Sequence, residues 1–196
     1  MLRIALALSA FAFPTFAETE STVPEADTPP ALRADKGYVM NVETAIFDGT
    51  PAEVRAALQS EDGSVLAFVA PTDAIPGIAE LTPLVDMFPT EGAVRRVRLT
   101  NDEYVVERVI RNDAEGFEYQ IWNFTSSEAR FIDHIHGRFA YEAIDGGKTE
   151  VTWTYAIAPR VFFARPFIRS FIENDFEPFM ESGLTGAMQH FNARAN

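Results

Sequence analysis

The chain has 196 residues, of which 16 are Lys or Arg and 29 are Asp or Glu, so its formal net charge is −13. This surplus of acid opposes nucleic acid and anionic membrane surfaces as default partners. The chain has no cysteine, which excludes disulfide bonds, a catalytic thiol and thiolate metal sites.

The first 17 residues have the features of a secretion signal. Arg3 supplies a positive charge, residues 4–13 form a short apolar stretch, and Thr15 and Ala17 place small residues at the positions that a signal peptidase reads. The apolar stretch is too short to span a bilayer, which takes roughly 20 residues. We therefore expect cleavage after Ala17, export to the periplasm or the outside, and no transmembrane segment in the mature chain.

Residues 18–36 are predicted to form a flexible linker. They contain three prolines among acidic and small residues, and they have no hydrophobic period. The remaining residues, 37–196, are enough for one domain with one hydrophobic core.

The first elements of this domain are a strand and two short helices. Residues 38–47 alternate between apolar and polar, as expected of a strand. Thr50, Pro51 and Glu53 then form a capping box that predicts a helix start. Residues 76–88 have apolar residues at helical spacing around Pro83, so we expect a second, broken helix there.

From Gly92 the apolar period changes to two, which predicts five strands. They are expected at residues 93–99, 104–110, 117–124, 129–143 and 150–158. Short turn sequences separate them, so consecutive strands should pair antiparallel. A final helix is predicted over residues 164–192, with a kink at Pro178. This order indicates an α+β domain and excludes doubly wound folds.

The final helix is unusually aromatic, since seven of the 17 Phe lie in the last 35 residues: Phe162, Phe163, Phe167, Phe171, Phe176, Phe179 and Phe191. An apolar stripe at spacings of three and four runs along it from Ile168 to Phe191. A stripe of this kind predicts a large apolar partner, and the predicted antiparallel sheet is available.

The order of elements resembles the helix-grip fold of the START-like, or SRPBCC, superfamily, which includes polyketide cyclase-like and lipid-transfer domains. Residues 50–54 at the first helix, the hairpin at residues 146–153 and the Phe-rich last helix carry the resemblance, over residues 37–192. It implies a curved, antiparallel, six-stranded sheet around a long C-terminal helix, with two short helices after the first strand. It also implies a cavity for lipids, sterols, polyketides or other apolar ligands, and it implies no particular catalytic residue.

Strand alternation predicts which side chains face that cavity. The expected ligand-binding residues are Tyr104, Arg108, Tyr119, Asn123, Asp133, Phe139, Trp153, Tyr155, Phe171 and Phe179. Arg108 and Asp133 stand out as charges on apolar faces, so one interpretation is a paired polar anchor for a ligand head group. The alternatives are an ion pair at the rim of the sheet, or a slip of one residue that places either side chain in water.

Two further groups of residues have predicted roles. His134 and His136 have the spacing of a metal pair, but no third ligand is evident and they lie on the face assigned to solvent. We expect no metal and no other cofactor. Arg95, Arg96 and Arg98 are expected to pair with neighbouring acids such as Glu103 and Glu107. Docking of a membrane or an anionic ligand by these arginines is the alternative.

The favoured function is an exported carrier or binding protein for a hydrophobic or amphipathic small molecule. One alternative is a cyclase or dehydratase that uses Asp133 with Arg108 or a tyrosine as acid and base. Another is an interaction module with Trp122 and Phe124 exposed. No nucleotide-binding or nucleophile motif favours another enzyme class, and the oligomeric state stays open.

Overall fold

The computed structural model describes residues 28–60, 62–72 and 74–195. The predicted signal sequence and residues 18–27 of the predicted linker lie outside the described residues. The described part forms one antiparallel sheet, three helices joined to it, and short 3₁₀ turns.

Seven strands make up the sheet, in the spatial order β1-β7-β6-β5-β4-β3-β2. Their bounds are β1 Val39–Phe47, β2 Ile78–Val85, β3 Val94–Leu99, β4 Tyr104–Asn112, β5 Gly116–Trp122, β6 Ile132–Ile144 and β7 Lys148–Pro159. Consecutive strands from β2 to β7 pair as hairpins, and β1 pairs with β7 at the opposite edge. The predicted α+β class and antiparallel meander are confirmed.

Strand β2 replaces the predicted second helix, so the sheet has seven strands and not six. The helical spacing of Ile78, Leu81 and Val85 misled the prediction, because these side chains are exposed and mark no buried helical face. Pro83 is tolerated because β2 is an edge strand, where a missing N–H costs no hydrogen bond to a neighbouring strand.

The predicted first helix is confirmed as α1, Pro51–Leu58. The Glu53 amide donates to the Thr50 hydroxyl, and the Glu53 carboxylate accepts from the Thr50 amide at 2.9 Å. Val54 is fully buried and fixes the helix against the core.

The C-terminal helix consists of α2, Arg165–Phe171, a wide π turn, Ile172–Phe176, and α3, Glu177–Ala195. The kink was predicted at Pro178, and the structure has the π turn directly before it. Proline lacks an amide hydrogen and clashes with the carbonyl four residues earlier, so a wider turn relieves both problems. The Asn174 side chain donates to the Ser170 carbonyl at 2.7 Å and gives this carbonyl a hydrogen-bond partner next to the irregular stretch.

The face of the sheet towards the C-terminal helix, here called the concave face, holds the main core. The predicted apolar stripe packs against it. Its buried residues include Phe117, Tyr119, Phe139, Tyr141, Val151 and Trp153 from the sheet, and Phe176, Met180, Leu184 and Ala187 from the helix. Burial of this many aromatic side chains is the main apolar contribution to stability, at about 1.5–3 kcal/mol for each large side chain.

The opposite, convex face is also buried over β5 and β6, because residues 28–38 run across it. The Gln120 amide donates to the Pro30 carbonyl at 2.9 Å. Arg33 donates to the Pro159 carbonyl and pairs with Asp133 at 2.7 Å. Residues 28–36 of the predicted flexible linker are therefore held against the domain, which corrects that part of the prediction.

In the described part of the chain, no helix combines the length and the apolarity that crossing a membrane requires.

Candidate functional site

A buried ion pair forms the polar centre of the concave face. The Arg95 Nε atom lies 2.6 Å from the Glu107 Oε2 atom, and the two side chains are 16% and 9% exposed. Arg95 and Glu107 are direct neighbours on β3 and β4, so the register of the sheet brings them together. The predicted pairing of Arg95 with Glu107 is confirmed, whereas Arg98 pairs with Glu80 at the surface.

Aromatic rings surround this ion pair on one side. The guanidinium carbon of Arg95 lies 3.5 Å from the centroid of the Phe88 ring, a cation–π contact. Phe88 meets Phe117 edge to face at 5.9 Å, and Phe117 stacks on Tyr119 at 5.6 Å. The charged pair is thus continuous with the aromatic surface that faces the helix.

Burial makes the Glu107 carboxyl a weaker acid than an exposed glutamic acid. Loss of solvent raises the pKa of Glu107, and the charge and hydrogen bond of Arg95 offset part of that rise. A carboxyl group accepts hydrogen bonds when ionised and can donate one when protonated. Glu107 can therefore hold a polar group of a ligand or exchange a proton with it.

Tyr119 occupies its position because the residue opposite it is a glycine. Tyr119 and Gly137 are cross-strand partners, and a Cβ atom on residue 137 would lie 2.0 Å from the Tyr119 Cζ atom. The Tyr119 hydroxyl accepts a hydrogen bond from the Trp153 Nε1 atom at 3.4 Å. Any larger residue at position 137 would displace the ring and break this contact.

Two more tyrosines share the concave face. Burial raises the pKa of the Tyr119, Tyr141 and Tyr155 hydroxyls, so all three stay protonated at neutral pH. The ring of Tyr155 lies 4.3 Å from that of Phe176, between centroids. Since Phe176 ends the π turn, the irregular stretch of the helix meets the sheet beside this hydroxyl.

Six of the ten predicted site residues meet on the concave side. They are Tyr119, Phe139, Trp153 and Tyr155 on the sheet, and Phe171 and Phe179 on the helix. Phe139 stacks on Trp153 at 5.1 Å. Phe171 and Phe179 are half-buried and form the border of the aromatic core. Their ligand contacts remain a prediction.

The predicted phase of strand β4 is wrong. Arg108 pairs across the sheet with Gln120, to which its Nε atom donates at 2.9 Å, and it lies on the convex face. Tyr104 shares that face, and the guanidinium of Arg96 lies 5.9 Å from its ring. Residues of both phases in β4 are buried, because the convex face is covered as well, so alternation alone did not distinguish the two faces.

Asp133 does not pair with Arg108. It pairs with Arg33 at 2.7 Å and contacts His134 at 3.1 Å, next to a bulge in β6. Asn123 follows the end of β5 in a left-handed conformation, with φ of 54°. The Arg108–Asp133 anchor and the enzyme hypothesis built on that pair are therefore wrong.

The histidine pair is buried on the convex face and not exposed to solvent as predicted. His134 Nε2 contacts the Tyr38 hydroxyl at 3.0 Å, and His136 contacts Glu118 at 2.9 Å. Burial lowers the pKa of both imidazoles, with partial offsets from their carboxylate neighbours. Within the described ranges, no three His, Asp or Glu side chains are grouped to hold a metal.

Trp122 does not support the hypothesis of an exposed interaction module. Its side chain is 2% exposed and lies on the convex face, beside a cavity that Thr28 and Pro29 also line. Phe124 is half-buried and packs against a cluster that includes Ile135 and Ile168. The indole N–H of Trp122 finds no hydrogen-bond partner among the described residues.

Two open cavities lie away from the ion pair. A groove of about 670 Å³ runs between α1 and the end of α3, beside Glu53, His190 and Arg194. A second, of about 450 Å³, lies on the convex side beside Pro29 and Arg108. Both have mixed polar and apolar walls, and neither includes the concave polar centre.

Sequence reasoning recognised the Arg95–Glu107 pair but did not place it in the site. The opposite charges on adjacent strands were the available signal. The wrong phase of β4 directed Glu107 outwards and put Arg108 in its place.

Comparison with known proteins relates this architecture to solved structures only. No family model and no curated protein matches the sequence. The START superfamily protein from Mycobacterium smegmatis is 9% identical with a TM-score of 0.55, over 79% of this chain and 99% of that one. The Zhui aromatase/cyclase from a Streptomyces species is 15% identical with a TM-score of 0.51, over 76% and 93%. The di-domain ARO/CYC StfQ is 9% identical with a TM-score of 0.56, over 81% of this chain and 52% of that one. At these identities the likeness concerns the fold, and this chain has the helix-grip fold of the START-like superfamily.

Proposed function

We propose that the protein binds a hydrophobic or amphipathic small molecule on the concave face of the sheet. The observation that carries the proposal is the Arg95–Glu107 pair on a face that is otherwise aromatic. Ligand sites are typically apolar surfaces with a few converging polar groups, and this face has both. Similar folds occur in a START superfamily protein and in aromatase/cyclases, which supports a ligand of this general class.

The charge balance of the centre favours a neutral polar head on the ligand. An anion or a cation beside the pair would leave one buried charge without compensation, which is costly in a low-dielectric site. A hydroxyl or carbonyl group can instead accept from Arg95 and, for a hydroxyl, donate to Glu107. We therefore expect long-chain alcohols or ketones to bind better than apolar molecules of the same length.

Entry of a ligand requires movement at the border of the core. Phe171 and Phe179 are half-buried there, next to the π turn, whereas Trp153 is almost fully buried. The two half-buried rings contact Phe176, which packs on Tyr155, so their displacement would open a path between the helix and the aromatic face of the sheet. Helices with π turns are often found at functional sites, in keeping with this role.

The test is displacement of an apolar dye by dodecanol, measured by fluorescence. The Arg95→Met/Glu107→Leu double variant removes the polar centre and leaves no unpaired charge, so the fold should persist. We expect this variant to bind dodecanol about tenfold more weakly, because one or two hydrogen bonds to charged groups are lost. Arg98→Met, at an exposed pair, is the matched control and should bind like the wild type. Equal dodecanol affinity in all three proteins would contradict the proposal.

A second candidate function is a cyclase or dehydratase reaction at the same centre. The raised pKa of Glu107 favours it, because acid–base catalysis works best with a group whose pKa lies near the working pH. The Tyr119 hydroxyl on the same face stays protonated and can donate a hydrogen bond. Here Glu107 would take the role first assigned to Asp133. A synthetic poly-β-ketone thioester, followed by mass spectrometry for loss of water, tests this. Glu107→Gln should abolish turnover while dodecanol still binds, and equal turnover in the variant would exclude this role.

We also propose that the chain is exported and cleaved after Ala17. The basic residue, short apolar stretch and small residues of the sequence support this. N-terminal sequencing of the protein purified from its natural source should begin at Glu18, and a start at Met1 would contradict export by this route.

A further inference from the structure

Three phenylalanines at the start of the C-terminal helix are exposed on one side of the molecule. Phe162, Phe163 and Phe167 are 86%, 68% and 67% exposed, although such side chains usually contribute to a core. Phe131 joins them, because its ring stacks on that of Phe167 at 6.2 Å between centroids. These four residues are called the aromatic patch. Clusters of exposed aromatic residues on a folded chain mark interaction surfaces.

The fold holds the aromatic patch outwards on a rigid base. The 3₁₀ turn Phe162–Ala164 leads directly into α2, and Ala164 and Ile168, which directly follow Phe163 and Phe167, are buried. Both pack in a cluster with Ile135 and Ile157 of the sheet. The backbone that carries the exposed rings is therefore anchored by its buried neighbours, and the rings are held at the surface before any partner binds.

Positive charge surrounds the aromatic patch, in contrast to the chain as a whole. Residues 128–131 and 160–171 contain Arg130, Arg160, Arg165 and Arg169 but one acid, Glu128. Among the described residues, none of these four arginines lies within ion-pair distance of a carboxylate.

Three of these arginines are oriented by backbone carbonyl groups. Arg130, Arg160 and Arg165 donate to the carbonyl oxygens of Ser127, Ile132 and Tyr38, respectively. Hydrogen bonds of this kind fix a guanidinium without neutralising it. The rim of the patch thus keeps its positive charge although the chain carries a net charge of −13.

We propose that the aromatic patch docks on an anionic lipid bilayer. Aromatic rings favour the boundary between head groups and acyl chains, and arginines around them meet lipid phosphates. Each basic residue near an anionic membrane adds to the attraction between the protein and the lipid surface. A second copy of the chain fits less well, because a symmetric contact would bring two positive rims together. The acidic net charge argues against membranes in general, and this surface is a local exception.

Flotation with lipid vesicles tests the proposal on the whole chain. Vesicles of phosphatidylglycerol and phosphatidylcholine should carry the protein upwards in a gradient, and vesicles of phosphatidylcholine alone should carry much less. High salt should weaken binding, because it screens the arginines. Phe162→Ser/Phe163→Ser should lose at least tenfold in affinity, and Arg160→Gln/Arg169→Gln should lose the preference for anionic lipid.

The controls separate docking from folding and from ligand binding. Met87→Ser changes a residue that is 71% exposed outside the patch, and it should float like the wild type. The phenylalanine variant should still bind dodecanol, so a failure of docking is distinct from a failure of the concave site. No flotation of the wild type, or equal flotation of the phenylalanine variant, would overturn the proposal. A dimer in solution that this variant dissociates, without flotation, would show a protein interface and would also overturn it.

Discussion

The C-terminal helix covers the concave face of the sheet through aromatic contacts, whereas residues 28–38 cover the convex face through hydrogen bonds and the ion pairs of Arg33 and Asp35. On the concave side, the polar centre of Arg95 and Glu107 is enclosed by rings. On the convex side, Asp133, His134 and Gln120 bind the covering segment. The difference indicates that the concave face supports the whole fold and the proposed ligand site, while the convex contacts hold mainly one segment.

Truncation of the concave core should have the largest effect. Trp153→Ala removes a buried ring that stacks on Phe139 and donates to Tyr119, so we expect a loss of about 3–5 kcal/mol in unfolding free energy. Chemical denaturation measures it. Thr152→Ala, on the same strand but pointing to the other face, should change stability by less than about 0.5 kcal/mol. A small effect at Trp153 would mean that this face is not the main core.

An added methyl group at Gly137 should act on the same face by overpacking. Gly137→Ala places its Cβ atom within the Tyr119 ring, and we expect a loss of about 1–3 kcal/mol. Ala140→Ser, at an exposed position of the same strand, serves as the control. Chemical denaturation curves of both variants measure the change in unfolding free energy. An unchanged midpoint for Gly137→Ala would show that the Tyr119 ring moves aside freely.

The convex face should make stability depend on pH. Burial lowers the pKa of His134 and His136 below the value of 6.5 for an exposed imidazole, so the unfolded chain binds protons more readily than the folded one. The contribution of the two neutral, buried histidines to stability is therefore fully present at neutral pH, and it is lost as the pH falls below about 6.5. His134→Gln/His136→Gln should flatten this part of the stability profile measured by thermal melting. Glu107, whose raised pKa acts in the opposite direction, is unchanged in this variant, so a variant profile with the same slope as that of the wild type would contradict the assignment.

Loss of one convex side chain should have the smallest global effect. Arg33→Ala breaks a pair with Asp133 that is about one-third exposed and a hydrogen bond to the Pro159 carbonyl, so we expect about 1 kcal/mol. Hydrogen exchange of residues 28–38 should nevertheless become faster while the concave strands stay protected. Arg194→Ala, which breaks the exposed pair with Asp62, is the control and should leave exchange in that segment unchanged. A large global loss for Arg33→Ala would remove the distinction between the two faces.

The sequence predicted elements well where one face of an element is apolar. The capping box at Thr50, the alternation around Trp153 and the stripe from Ile168 to Phe191 each follow a simple period, and each was found as predicted. The edge strand β2 was missed because its apolar residues have helical spacing but face solvent. The site was predicted in part, since the aromatic residues are correct and the charged anchor is wrong.

The error in the anchor has a physical origin in residues 28–38. Their contacts bury the convex side of β4 to β6, so Val106 and Val109, which point to opposite faces, are both buried. Alternation of polarity then no longer identifies the inner face. The long-range pairing of Arg33 with Asp133 has no local sequence signal, and it removed Asp133 from the predicted site.

The two tryptophans of the chain allow the most direct test, because Trp153 lies on the concave face and Trp122 on the convex face. Each indole N–H gives one resonance in a nitrogen-labelled protein, and a Trp122→Phe variant assigns them. Titration with dodecanol should shift the Trp153 resonance and leave that of Trp122 in place. A shift confined to Trp122, or no shift of either resonance at saturating dodecanol, would contradict a ligand site on the concave face.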